Sequence, residues 1–131
     1  VLIVVDASAM VEALVGRTPD NGLLEVLGGE VTAPHLLDVE VLSVLRGLTL
    51  GGKLTPERAD DGRRDYFAFT IIRYGLEPVA ERVWALRHQF TAYDAWYLAL
   101  AEACGCPLYT CDGKLGGPGH RADVRVLPRT H

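Results

Sequence analysis

Leu2-Ile3-Val4-Val5 constrains this chain more than any other stretch. Four consecutive apolar residues, three of them β-branched, predict a strand covered on both faces, as in a parallel sheet. Polarity changes abruptly at Asp6, where the strand should end, and Ser8 is the expected N-cap of the helix that follows. Ligand sites of open α/β sheets lie at the carboxyl ends of strands. Asp6 is therefore the first candidate functional residue, and the rest of the chain is read for acids that could meet it.

The remaining segments alternate in the same way. A first helix is expected over Ser8–Val15, stopped by Gly16. Thr18-Pro19-Asp20 reads as the start of a second, carrying Leu23, Leu24 and Leu27 inward. Glu30–Ala33 is a short strand. Pro34 is expected to open a long helix to about Leu50, apolar around most of its circumference and hence largely buried, with Glu40, Ser43 and Gly47 as a narrow polar stripe. Thr55-Pro56-Glu57 starts a charged, exposed helix to about Phe67. Phe69–Tyr74 reads as a strand, and Pro78 opens a helix to about Phe90. Thr91 caps a sixth helix ending at Cys104, closed by Gly105. Pro107–Cys111 and Val124–Leu127 are the last strands. Alternating strands and helices over 131 residues predict one α/β domain, residues 1–131, with a mainly parallel sheet.

Composition narrows the function. No apolar run approaches the ~18 residues of a membrane span, and the start lacks the charged segment of a signal peptide. The three cysteines, Cys104, Cys106 and Cys111, fit reduced thiols and a cytoplasmic setting. Cys104 and Cys106 lack further ligands at zinc spacing. The net charge is -4. Any nucleic-acid role therefore needs a local basic patch or a metal that offsets the acids.

Four carboxylates stand out by position: Asp6 and Asp112 after strands, Glu40 on an apolar helix, and Asp94 in the first turn of another. Each also has a structural reading. Asp6 could cap the first helix, and Asp94 suits the acid position of a capping box after Thr91. Glu40 could pair with Arg46, and Asp112-Gly113 is a common turn. If the four converge, two like charges about 4 Å apart at an effective dielectric near 20 repel by roughly 4 kcal/mol. Such a cluster must hold a proton or bind a cation. Oxygen donors suit Mg²⁺ or Mn²⁺, which can activate water for phosphodiester cleavage.

These residues carry a family resemblance. Val5-Asp6-Ala7-Ser8-Ala9, Leu36-Leu37-Asp38-Val39-Glu40-Val41-Leu42-Ser43, the run from Tyr93-Asp94-Ala95 to Glu102, and Thr110-Cys111-Asp112-Gly113-Lys114-Leu115 resemble, in order, the motifs of PIN-domain ribonucleases of the VapC toxin type. The resemblance implies a five-stranded parallel sheet flanked by helices. It implies Asp6, Glu40, Asp94 and Asp112 as metal-binding, catalytic acids, with Ser8 and Thr110 as polar supports. It further implies Mg²⁺- or Mn²⁺-dependent endoribonuclease activity, a homodimer, and inhibition by a VapB-type antitoxin that inserts an Arg into the acidic site. RNA contacts are expected among Arg46, Arg87, Lys114 and Arg121, with His88 and His120 as surface residues. Tyr93, Trp96 and Tyr97 are expected to pack in the core or a dimer rather than stack on bases. Two other functions stay open: a catalytically silent PIN-like binding module, and an Asp-based phosphotransfer domain using Asp6 as nucleophile. The second lacks the Asp that dehalogenase-like phosphatases place where Ser8 stands.

Overall fold

Five strands, all parallel, form a single sheet in the order β3-β2-β1-β4-β5. They are β1 (Leu2–Val5), β2 (Glu30–Pro34), β3 (Ile71–Tyr74), β4 (Leu108–Thr110) and β5 (Val124–Val126). The structure, a computed structural model, describes Val1 through His131. Six α-helices connect the strands: α1 (Ala7–Val15), α2 (Asn21–Leu27), α3 (Leu36–Leu50), α4 (Pro56–Ala68), α5 (Ala80–Ala85) and α6 (Ala92–Cys104). None is long and apolar enough to cross a membrane.

The central strand is the one the apolar run announces. Ile3, Val4 and Val5 are fully buried, with β2 and β4 on either side. Chain order reverses across β1, since β2 and β3 lie to one side and β4 and β5 to the other. That reversal opens a crevice at the carboxyl ends of β1 and β4, the position where such sheets bind ligands. Asp6 and Asp112 both leave their strands there.

Several helix boundaries differ from the sequence reading. Asp6, not Ser8, caps α1: its carboxylate accepts the Ala9 amide at 3.0 Å, and Ser8 lies inside the first turn. Asp20 caps α2 by accepting from Leu23 N, so Thr18 and Pro19 precede the helix, and Leu24 faces out while Leu23 and Leu27 are buried. Pro34 ends β2 rather than opening α3, its fixed φ suiting the strand's last position. The helix α3 is not largely buried. Leu37, Val41 and Leu45 form one inward stripe, while Val39 and Leu42 are exposed, because the sheet and α1 cover only one side of it. The expected helix from Pro78 to Phe90 breaks into a 3-10 turn (Glu77–Val79) followed by the short α5. The β3 strand starts two residues later than Phe69, which instead caps α4.

The other boundaries follow their signals. Thr55 caps α4 and Thr91 caps α6, each side chain accepting the amide three residues on. Gly105 closes α6 at φ 63, a left-handed conformation that favours glycine. The cysteine thiols are all free.

Candidate active site

The site is built outward from Asp6, which is 7% exposed. Two hydroxyls hold its carboxylate. Ser8 Oγ donates to Oδ1 at 2.7 Å and Thr110 Oγ1 donates to Oδ2 at 2.5 Å. Each hydroxyl accepts in turn from the β4 exit, Ser8 Oγ from Cys111 N at 2.8 Å and Thr110 Oγ1 from Asp112 N at 2.9 Å. Both hydroxyl protons point to Asp6, so the 3.3 Å Ser8–Thr110 contact is left without a hydrogen of its own. Two backbone amides thus reach one carboxylate through two side chains. The Asp6 amide completes the staple by donating to Tyr109 O at 3.1 Å. Burial pushes the Asp6 carboxyl above its ordinary range, the Thr110, Ala9 and Ser8 hydrogen bonds oppose this, and the charge of Asp112 adds to the rise.

Glu40 comes to the same crevice from α3. Tyr97 of α6, 2% exposed, donates its phenol proton to Glu40 Oε1 at 2.6 Å. Burial raises the Glu40 carboxyl, the Tyr97 bond pulls it back, and the neighbouring charges of Asp6 and Asp94 raise it again. The Tyr97 hydroxyl is driven well above its ordinary range by burial and by the Glu40 carboxylate, so it serves as a permanent donor. Tyr97 stands three residues after Asp94 on one face of α6, which aims both at the crevice. The sequence reading placed Tyr97 in packing alone; its hydrogen-bonding role was detectable only from that spacing.

Asp94 and Asp112 complete the group. Their link is Lys114, whose Nζ lies 3.7 Å from Asp94 Oδ2 and 3.6 Å from Asp112 Oδ2. The two carboxylates hold the Lys114 ammonium above its ordinary range. The turn reading of Asp112 holds alongside the site, whereas Asp94 does not close a capping box. Asp112 Oδ1 accepts Lys114 N and starts a 3-10 turn. At α6 the Thr91 hydroxyl does the capping, while the Asp94 side chain turns to Lys114.

Electrostatic neighbours in one crevice are not yet a coordination shell. No three His, Cys, Asp or Glu side chains stand as a ready-made set for one ion. The chemistry of the donors nevertheless fits a hard divalent cation: four carboxylates, no nitrogen or sulfur donor, and a cation already lodged loosely between two of them. Asp6 and Glu40 are fixed by hydroxyls, whereas Asp94 and Asp112 have a flexible, exposed lysine as their main partner. Releasing the Lys114 ammonium exposes Oδ2 of each to an ion, while Asp112 Oδ1 stays on the Lys114 amide.

Of the expected RNA-contacting cations, Lys114 lies in the crevice, whereas Arg46, Arg87 and Arg121 lie elsewhere. Arg87 stacks over Trp84 at 4.7 Å and donates to its carbonyl. Arg121 is tied to Glu102, which also pairs with Arg82. Arg46 lines a shallow groove between α3 and α4 beside Leu42 and Arg63. His120 accepts Ala122 N on Nδ1 and faces Leu115 O with Nε2 at 2.8 Å, which assigns a proton to Nε2 and a structural role to the ring. Tyr93 is exposed and Trp96 half-buried with its Nε1 unpartnered.

Comparison with known proteins gives the family. The PIN domain family profile matches residues 3–116. Ribonuclease VapC9 of Mycobacterium tuberculosis is 38% identical over 133 residues, covering 98% of this chain and 100% of that protein. Ribonuclease VapC1 of the same species is 40% identical over 129 residues, covering 95% and 96%. Among solved structures, the fold is similar to a Pyrobaculum aerophilum protein (TM-score 0.65, 24% identity, 88% of this chain and 82% of that one). It is also similar to M. tuberculosis VapC20, described as a sarcin-ricin loop cleaving toxin (TM-score 0.60, 15% identity, 91% and 96%). The chain is a PIN domain and belongs to the family of VapC ribonucleases.

Proposed function

We propose that this chain is a divalent-metal-dependent endoribonuclease, the toxic member of a toxin–antitoxin pair. The observation that carries the reading is the gathering of Asp6, Glu40, Asp94 and Asp112 around the β1/β4 crevice, two of them held by hydroxyls and two sharing an exposed lysine. Asp6, Asp94 and Asp112 would hold Mg²⁺ or Mn²⁺, with Glu40 beside them. A bound ion would activate water and offset charge developing on the phosphodiester.

The chain's own residues do the positioning. Ser8 and Thr110 keep the Asp6 oxygens oriented toward one point, and their bonds to the β4 exit fix that point relative to Asp112. Tyr97 orients Glu40, whose carboxyl is raised by burial and by its acidic neighbours, a state suited to taking a proton from water. Lys114 offsets the charge of Asp94 and Asp112 and would be able to meet a phosphate oxygen. The phosphotransfer reading fares worse. Ser8 stands where that chemistry needs a second Asp, and its hydroxyl is spent on Asp6 itself.

An acidic crevice that already holds a lysine also suits an antitoxin's guanidinium, which would satisfy two carboxylates at once. A VapB-type partner is therefore part of the proposal. So is a homodimer, which would cover exposed apolar side chains such as Val39, Leu42 and Tyr93. Free thiols and net acidity accord with action in the cytoplasm.

Cleavage of bacterial RNA by the purified chain tests the reading. Fragments are expected with Mn²⁺, none with chelator, and none with Asp94→Asn, which removes charge without volume. An active Asp94→Asn protein overturns the site assignment.

A further inference from the structure

An acidic chain must still hold a polyanion, and its cations are unevenly distributed. Six of the 13 Lys and Arg residues have no carboxylate partner: Arg17, Arg46, Lys53, Arg58, Arg87 and Arg129. Four of these six, Arg17, Lys53, Arg58 and Arg129, line one cavity of about 780 Å³ at the carboxyl end of α1. No acid is among its lining residues. Glu12, which bonds to the lining residues Thr130 and His131, is fully buried, and its oxygens are occupied by Thr130 N, Thr130 Oγ1 and His131 Nδ1. Those bonds also hold the C-terminal residues as part of the cavity. Arg58 spends one N–H on Val15 O at 3.3 Å and keeps the others free.

We propose that this cavity is an anchor for the phosphate backbone of the RNA substrate, distinct from the acidic crevice; it rests on the nuclease reading above. Four unpaired cations drawn together repel one another, and an anion removes that repulsion. The volume and the spread of charge over four side chains exceed what a single small anion would engage. The helix α1 sets the spacing: nine residues separate Asp6 from Val15, or about 14 Å at about 1.5 Å per residue. A stacked strand advances about 3.4 Å per phosphate, so backbone roughly four nucleotides from the cut would reach the anchor.

The test uses the full chain carrying Asp94→Asn, so that RNA is bound without being cut. Its affinity for a single-stranded RNA is measured between about 50 and 200 mM salt. Arg17→Gln with Arg129→Gln removes two anchor charges that make no internal side-chain hydrogen bond. Arg63→Gln with Arg64→Gln removes two charges from α4 as the control. Each lost phosphate contact on single-stranded RNA flattens the log affinity–log salt slope by about 0.7. The anchor pair is therefore expected to flatten it by about 1.4 and the control pair by much less. Equal effects of the two pairs, or no change with the anchor pair, overturn the anchor while leaving the nuclease reading intact. Unchanged RNA binding with weakened antitoxin binding assigns the cavity to a protein partner and also overturns it. Absence of RNA binding by the parent chain overturns both readings. In a thermal-shift arm, stabilisation by pyrophosphate in the parent but not in the anchor variant, with RNA affinity unaffected, identifies a small-anion site and overturns the RNA assignment.

Discussion

Glu12→Gln is the sharpest stability test this fold offers. Glu12 is the one charged residue in the otherwise apolar α1, and it is fully buried. Burial alone would raise its carboxyl. The Thr130 hydroxyl and amide together with His131 outweigh that, and the net shift is downward. The Thr130 amide donates to Oε1 at 2.6 Å, His131 Nδ1 approaches the same oxygen at 2.9 Å, and the Thr130 hydroxyl reaches Oε2. Glutamine keeps the shape. It can present its carbonyl to Thr130 N and its amide to Thr130 Oγ1, but it loses the charge that strengthens both bonds and the pairing with His131. Hydrogen bonds to a charged group contribute about 1.5–3 kcal/mol each. With part of this recovered by the amide, a loss of about 2–4 kcal/mol is expected near neutral pH, a large share of the roughly 5–15 kcal/mol typical of a domain. The sign with pH follows from the lowered carboxyl. The wild-type advantage is fully present above the ordinary value of 4.5 and disappears as pH falls through the folded-state value below it. Urea unfolding of both proteins from pH 7 down to acid, with amide exchange at Thr130 and at Thr18, whose amide donates to Thr130 Oγ1 at 3.1 Å, measures this. The two stabilities should converge on acidification, and both amides should exchange faster in the variant. A constant difference across pH, or equal stability at pH 7, refutes the account of Glu12 as a paired, ionised carboxylate holding the C-terminal residues.

Other outcomes follow from neighbouring geometry. Gly16→Ala should destabilise by about 1–3 kcal/mol, since a Cβ there would collide with the Glu12 carbonyl and carboxylate; a melting temperature at or above wild type would show that α1 can shift freely. Thr110→Val should cost about 1.5–3 kcal/mol by leaving an Asp6 oxygen without its donor, and it should weaken Mn²⁺ binding by calorimetry, since Asp6 Oδ2 is then no longer held in place. Lys114→Met should leave stability nearly unchanged, as the lysine is solvent-exposed, and should raise Mn²⁺ affinity several-fold by removing the competing cation; unchanged affinity would place Lys114 outside the metal's reach. Asp38→Asn should cost about 1–2 kcal/mol, because Asp38 accepts both Tyr66 Oη and Arg73 Nε between α3, α4 and β3.

The parts of this protein legible in its sequence are those set by local rules. Unbroken β-branched runs gave β1 its burial, Thr and Pro signals marked α4 and α6, and an acid placed directly after a buried strand marked Asp6 and Asp112. The broken helix after Pro78 and the capping of α1 by Asp6 rather than Ser8 were misread, because two local signals competed and only packing selected between them. The outward face of α3 was misread for a different reason: Val39 and Leu42 are apolar wherever they point, and only the positions of the sheet and α1 decide which side is covered. What tertiary structure alone determined are relations between residues far apart in the chain. Tyr97 reaches Glu40 across 57 positions, Thr130 reaches Glu12 across 118, and four unpaired cations share one cavity. A hydrogen bond or a field depends on distance in space, and sequence separation carries none of that until the sheet order brings the strand ends together.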